Sequence, residues 1–355
     1  MTIQHHVLEA YKEDLNKKLL YGLGITVLLI FFLLFSVLNG PVKIAYSELF
    51  AIITGHISSG TSYNIFWNIR LPQALTAIVA GAGLAISGGV MQSVLRNPLG
   101  SPYTLGISHA AAFGAAFSIV ILGAGTTQSS GDVVTITNPY ITTISAFFWS
   151  LVSTAIILAL AKYKQATPET MILTGVALGS LFTAGLSGIQ YFAEDTQIAS
   201  IVFWQFGDVS KMAWNELGLI TLFVIPLSIW FTYNSWNYNV LNSGDDAAKS
   251  LGVDVDRLRI EGMVVSSMVS ALIVSFVGII GFVGLVVPHI VRKTIGGNEM
   301  LLFPFSCIIG ALLLLVSDTV ARNMIAPEVL PVGIVTSFLG APLFIYLVIK
   351  GREYW

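Results

Sequence analysis

The chain is short of charge and has almost no cysteine. Of its 355 residues, 17 are Lys or Arg and 19 are Asp or Glu, so 10% are charged. A soluble domain carries about 25%. A chain this poor in charge cannot cover a water-facing surface, which excludes an ordinary soluble enzyme. The net charge of −2 and the lack of a basic arm leave no footprint for nucleic acid. The one cysteine, Cys307, cannot form an intrachain disulfide; its apolar run fits a small core residue. No G-x-x-x-x-G-K-[ST] loop is present, so the chain does not cradle ATP in that way. No H-E-x-x-H helix and no Cys cluster marks a metal enzyme. Gly106-Ile107-Ser108-His109-Ala110 looks faintly like a serine nucleophile turn. A Ser beside a His in sequence is not a dyad in space, and the small residues fit close helix packing better. The expectation is a chain with no catalytic residue, no metal site and no cofactor of its own.

What the chain has is apolar length. It is 55% hydrophobic, with a mean hydropathy of +0.81. Runs free of Asp, Glu, Lys and Arg cover 19–38, 71–95, 97–131, 133–161, 170–193, 217–244, 262–291, 300–317 and 329–349. About 20 apolar residues span a bilayer, so each run is a candidate helix of a polytopic membrane protein. The polar segment 1–18 reads as a cytoplasmic N-terminal tail, and the run after it as a retained first span without a small-residue cleavage site.

Lys and Arg set the orientation. With Lys12, Lys17 and Lys18 in the cytoplasm, Arg96, Lys162, Lys164, Lys249, Arg257 and Arg259 also fall inside. Only Lys43, Arg70 and Lys211 then lie outside over that stretch. Parity fails unless 262–291 crosses twice, because Arg257 and Arg259 precede it while Arg292 and Lys293 follow it. Gly278, Gly281, Gly284 and Pro288 supply the break. The expectation is a full span to about Val277, a turn, and a short returning helix. That gives about ten spans in the cytoplasmic membrane, with both termini, Lys350 and Arg352 inside, and Arg322 outside. The outer loops are expected to hold an amphipathic helix near 47–53, a short helix within 194–216 and a polar loop at 126–138.

The largest charged island is 244–259, within a cytoplasmic loop taken as 242–259. Asp246-Ala247-Ala248, then Gly252, describes a short helix ended by a residue that accepts the left-handed conformation. Such a helix could seat in a partner's cleft; the alternative is a plain solvated loop.

The remaining motifs bear on that choice. Arg70-Leu71-Pro72 opens the second span, and Gly81-Ala82-Gly83-Leu84-Ala85-Ile86-Ser87-Gly88-Gly89-Val90-Met91-Gln92 closes it. Arg96-Asn97-Pro98-Leu99 follows, then Pro102 and Leu105-Gly106-Ile107-Ser108. Gly175-Val176-Ala177-Leu178-Gly179 comes later, with Gly281-Phe282-Val283-Gly284 through Pro288-His289 to Arg292. Pro331-Val332-Gly333 through Gly340-Ala341-Pro342 ends the series. Together, and over nearly the whole chain, these resemble the FecCD-type permeases of ABC importers, which move cobalamin, ferric siderophores, haem and related chelates.

The resemblance implies an all-α, type II importer permease: one transmembrane permease domain over 1–355, paired as a homodimer or with a paralogous permease. It implies two copies of a separate ATP-binding cassette ATPase, which hold the ATP and Mg, and an extracytoplasmic substrate-binding protein. It assigns ATPase coupling to Asp245, Asp246, Ala247, Ala248 and Gly252, with Arg292 and Lys293 as a second patch. Arg70 and Arg322 are expected to salt-bridge the binding protein. Gln73 stands where the family often has a second Arg, and Lys43 or Lys211 is the candidate replacement. The pathway is expected along Thr174, Ser180, Thr183 and Ser187 of the fifth span and Thr336 and Ser337 of the tenth. Asp318 is four residues before Arg322 and is expected to orient it. His289 and His109 are read as structural or coupling residues, and Asn97 as a helix cap. Ferric siderophore is the first expected cargo, then cobalamin or haem, with an oxyanion possible. The competing class is an ion-coupled secondary transporter, which needs membrane-embedded acids or discontinuous helices.

Overall fold

A computed structural model describes residues 2–124, 138–163 and 167–350. The polar loop expected at 126–138, apart from Asn138, and Lys164 and Arg352 lie outside the described residues. Among the described residues there is no strand, only an isolated bridge between Ile325 and Glu328.

The first helix, α1 (Thr2–Leu38), runs for 37 residues, about 55 Å at the helical rise. A hydrocarbon core is about 30 Å thick, so α1 is longer than its span needs. The segment read as a tail is therefore helical. Its charged surface includes a pair four residues apart, Lys18 to Asp14 at 2.6 Å. Next come α2 (Tyr46–Ile53), the amphipathic segment expected there, α3 (Thr61–Asn64) and a π-helical turn, Ile65–Arg70. That turn leads straight into α4 (Leu71–Val94).

α4 is the axis of the molecule. It is buried over most of its length and packs on α9 (Trp214–Tyr233), α12 (Val255–Val277), α13 (Val283–Thr294) and α14 (Glu299–Asn323). Small residues make this possible, because apolar side chains gain little by leaving lipid and helices must instead approach closely. A Cβ on Gly88 would lie 1.7 Å from the Gly284 carbonyl oxygen, and one on Gly81 would lie 2.3 Å from that of Gly310. A second layer joins α5 (Ile107–Val120), α6 (Pro139–Tyr163) and α7 (Pro168–Phe192), which pack on one another. The short helix α8 (Asp195–Gln205), also expected, packs on α5.

Two breaks differ in kind. The run 217–244 divides at Asn234 into α9 and the short α10 (Ser235–Asn242). The run 262–291 divides as charge parity requires. α12 ends at Gly278 (φ +78°), and α13 starts after Phe282, held at φ +66°. The segment expected to couple forms α11 (Asp245–Ser250), and the last described helix is α15 (Val332–Lys350).

Among the described residues, seven helices are long and apolar enough to cross a membrane: α1, α4 with its leading turns, α6, α7, α9, α12 and α14. The shorter apolar helices α5 and α15, and the 12-residue α13, stand where the other three of the expected ten spans were placed.

Candidate functional site: the coupling helix and the translocation face

α11 is presented rigidly. Gly244 enters it at φ +114° and Gly252 leaves it at φ +83°, both conformations that favour glycine. Its inner side is pinned. Ala248 is fully buried, and Asp245 accepts two hydrogen bonds from Arg259, at 2.9 and 2.8 Å. Arg96 lies 3.5 Å from the same carboxylate. A two-toothed guanidinium–carboxylate pair fixes direction as well as distance. Asp246, Lys249, Ser250 and Leu251 remain exposed on the outer side. Asp245 and Ala248, assigned to coupling with Asp246 and Ala247, thus hold the helix in place.

Arg292, expected in a second coupling patch with Lys293, is partly buried. Its guanidinium turns inward to Gln92 Oε1, Ser93 Oγ at 3.1 Å and Glu299 at 3.3 Å. Lys293 stays exposed, 5.9 Å over the Tyr346 ring.

Glu299 is the residue that sequence reasoning missed. It is fully buried at the start of α14, on the same end of the molecule as α11. Its Oε1 accepts from Ser93 Oγ and from Asn242 Nδ2, both at 2.8 Å. The available signal was a carboxylate directly before an apolar run, seven residues after an Arg.

At the opposite end lie Arg70 and Arg322, expected to salt-bridge a binding protein. Both are buried, with exposures of 3% and 4%. Arg70 donates to the carbonyls of Val37 (3.0 Å), Leu38 (2.9 Å) and Val42, which closes the end of α1. Arg322 donates to Ser36 and pairs with Asp318 at 3.0 Å, as the i,i+4 spacing predicts. Gln73 is buried as well and donates to Asp318 at 2.8 Å. The position of the missing arginine therefore faces the interior. Lys43 and Lys211 are exposed at this end.

The expected pathway residues separate into two groups. On α7, Ser180, Thr183 and Ser187 share an exposed face, and Thr174 is half-buried. Ser180 and Thr183 donate to carbonyls of their own helix, at 3.1 and 2.8 Å. On α15, Thr336 is buried and Ser337 half-buried; both donate to the Gly333 carbonyl. Ser337 lines a cavity of about 440 Å³ at the α12–α13 break, with Ser101, Ser108, Gln205, Phe282 and Phe338. Ser108 has no dyad through the near nitrogen of its neighbour. His109 Nδ1 lacks a hydrogen-bond partner, and its ring packs on Tyr103 at 4.7 Å.

The profile of the FecCD transport family matches residues 28–350. The chain is 47% identical, over 96% of its length and 97% of the relative's, to a Methanocaldococcus jannaschii protein assigned as an ABC transporter permease. It is 33% identical to the hemin transport system permease protein HmuU of Yersinia pestis, covering 92% of this chain and 94% of that one. It is also 33% identical to the vitamin B12 import system permease protein BtuC of Vibrio cholerae, covering 83% and 86%. Among solved structures, an inward-facing transporter assigned to the metal-chelate type superposes with a TM-score of 0.79 at 30% identity, covering 92% of this chain and 98% of that one. The all-helical fold, the broken α12–α13 pair and these matches agree: the chain belongs to the FecCD transport family of ABC transporter permeases.

Proposed function

We propose that this chain is the translocation subunit of a binding-protein-dependent importer of metal chelates, driven by a separate ATPase that seats on α11. The observation that carries the reading is the posture of α11: bolted down through Asp245 and Ala248, free through Asp246, Lys249, Ser250 and Leu251. A helix held this firmly transmits a push into α10 and α12 without absorbing it. Two copies of the chain, or the chain and a paralogue, enclose the cargo path, with the exposed hydroxyl face of α7 towards it. The binding protein approaches the opposite end, where Lys43 and Lys211 are the exposed cations.

The cargo is a bulky chelate. Ferric siderophore is the first expectation, and the names of the hemin and vitamin B12 permeases set haem and cobalamin beside it. An ion-coupled secondary transporter is disfavoured by the buried acids. Among the described residues these are Asp318 and Glu299, and each is paired with an arginine. Neither is open to a driving ion.

Uptake separates these readings. Cells expressing the complete system are offered a ferric hydroxamate chelate, hemin and cyanocobalamin in turn. Uptake of one of them is expected to stop on ATP depletion and to survive an uncoupler. Uptake that survives ATP depletion and stops with the uncoupler would overturn the proposal.

A further inference from the structure

Glu299 collects donors from three other helices. Asn242 reaches it from α10, Ser93 from α4 and Arg292 from α13, all onto Oε1. Its backbone N–H donates to Asn239 Oδ1 at 2.7 Å, a second tie to α10. Asn242 stands three residues before Asp245, at the root of α11. Arg292 continues the chain of bonds, because Nη1 also donates to Gln92 Oε1. Gln92 Nε2 in turn donates to the Leu285 carbonyl at 3.1 Å. Leu285 lines the cavity at the α12–α13 break. A continuous polar line thus runs from the root of α11 to the wall of that cavity.

Apolar contacts would not do the same work. They tolerate sliding, whereas charge-assisted bonds fix register between elements. Glu299 Oε2 is buried with no hydrogen-bond partner. The site therefore holds one more acceptor than it fills.

We propose that Glu299 is a positioning residue for energy coupling: it ties the root of α11 to α13, so that displacement of α11 moves the wall of the translocation cavity. The proposal rests on the reading that the ATPase seats on α11.

The test uses the full transporter in proteoliposomes, with its ATPase and binding protein. A mixture of a ferric hydroxamate chelate, hemin and cyanocobalamin serves as probe, and the readout is chelate taken up per ATP hydrolysed. Glu299→Ala is expected to keep the ATPase bound and hydrolysing, while uptake per ATP falls about tenfold, within the range for a coupling residue. Asn242→Ala lowers the ratio less, and the double variant falls no further than Glu299→Ala. Glu299→Gln keeps the shape and one acceptor, and gives an intermediate ratio; it carries the test if the alanine variant fails to fold. Uptake and hydrolysis falling in proportion would show a merely structural residue and overturn the proposal, as would an unchanged ratio. Leu251→Asp, on the free face of α11, separates the two readings. If it leaves the ATPase bound, the seating of the ATPase fails; if it releases the ATPase while Glu299 variants couple normally, only this inference falls.

Discussion

Asp318 is a single carboxylate beside buried guanidinium and amide groups. Arg322 pairs with it and Gln73 donates to it, all with almost no exposure. Removing one partner of a buried pair leaves an uncompensated charge and costs about 3–5 kcal/mol. Asp318→Ala is therefore expected to lower the melting temperature in detergent by several degrees. Asp318→Leu combined with Arg322→Met recovers most of the loss, because an apolar pair of similar volume is often neutral. A double variant no more stable than the single would show that Arg322 contributes mainly through Ser36. At this scale the sequence was half legible. The spacing of four residues foretold the pair, but not that Arg322 and Arg70 are buried. Charge counting places an arginine at one end of a span; it does not say whether the side chain turns outward or caps a neighbouring helix, as Arg70 does for α1.

α4 shows why some elements tolerate nothing. Gly81 and Gly88 meet backbone, not flexible side chains, so a methyl group at either must move a whole helix. Gly88→Ala is expected to abolish folded protein on size-exclusion chromatography. Gly24→Ala on α1, where nothing lies within 4 Å, leaves the elution profile unchanged. A monodisperse Gly88→Ala protein would contradict the packing described for α4 and α13. The small-residue motif of α4 was visible as a string of letters, and the break between α12 and α13 followed from charge parity with Gly278. The division of α9 from α10 was not visible, since no proline or charge marks Asn234. The helical course of the first turns of α1 was not visible for a related reason: charged residues on an extended helix look the same in sequence as charged residues in a tail.

The whole molecule has polar machinery at both ends and an apolar body between. One end holds the pinned α11 and the Glu299 network; the other holds the buried Arg70 and Arg322. The long apolar helices, their order and the short charged helix α11 were legible because they rest on charge and length. The Glu299 network was not, because its members are spread over more than 200 residues and meet only in space. The central claim is that α11 seats an ATPase, and co-purification tests it most directly. The chain is expressed with its ATPase as wild type, Asp246→Lys and Leu251→Asp, substitutions on an exposed face that leave the Asp245–Arg259 pair intact. The account predicts that the ATPase elutes with the wild type and is lost from both variants, while the permease itself keeps its melting temperature. An ATPase that stays bound to both variants would contradict it.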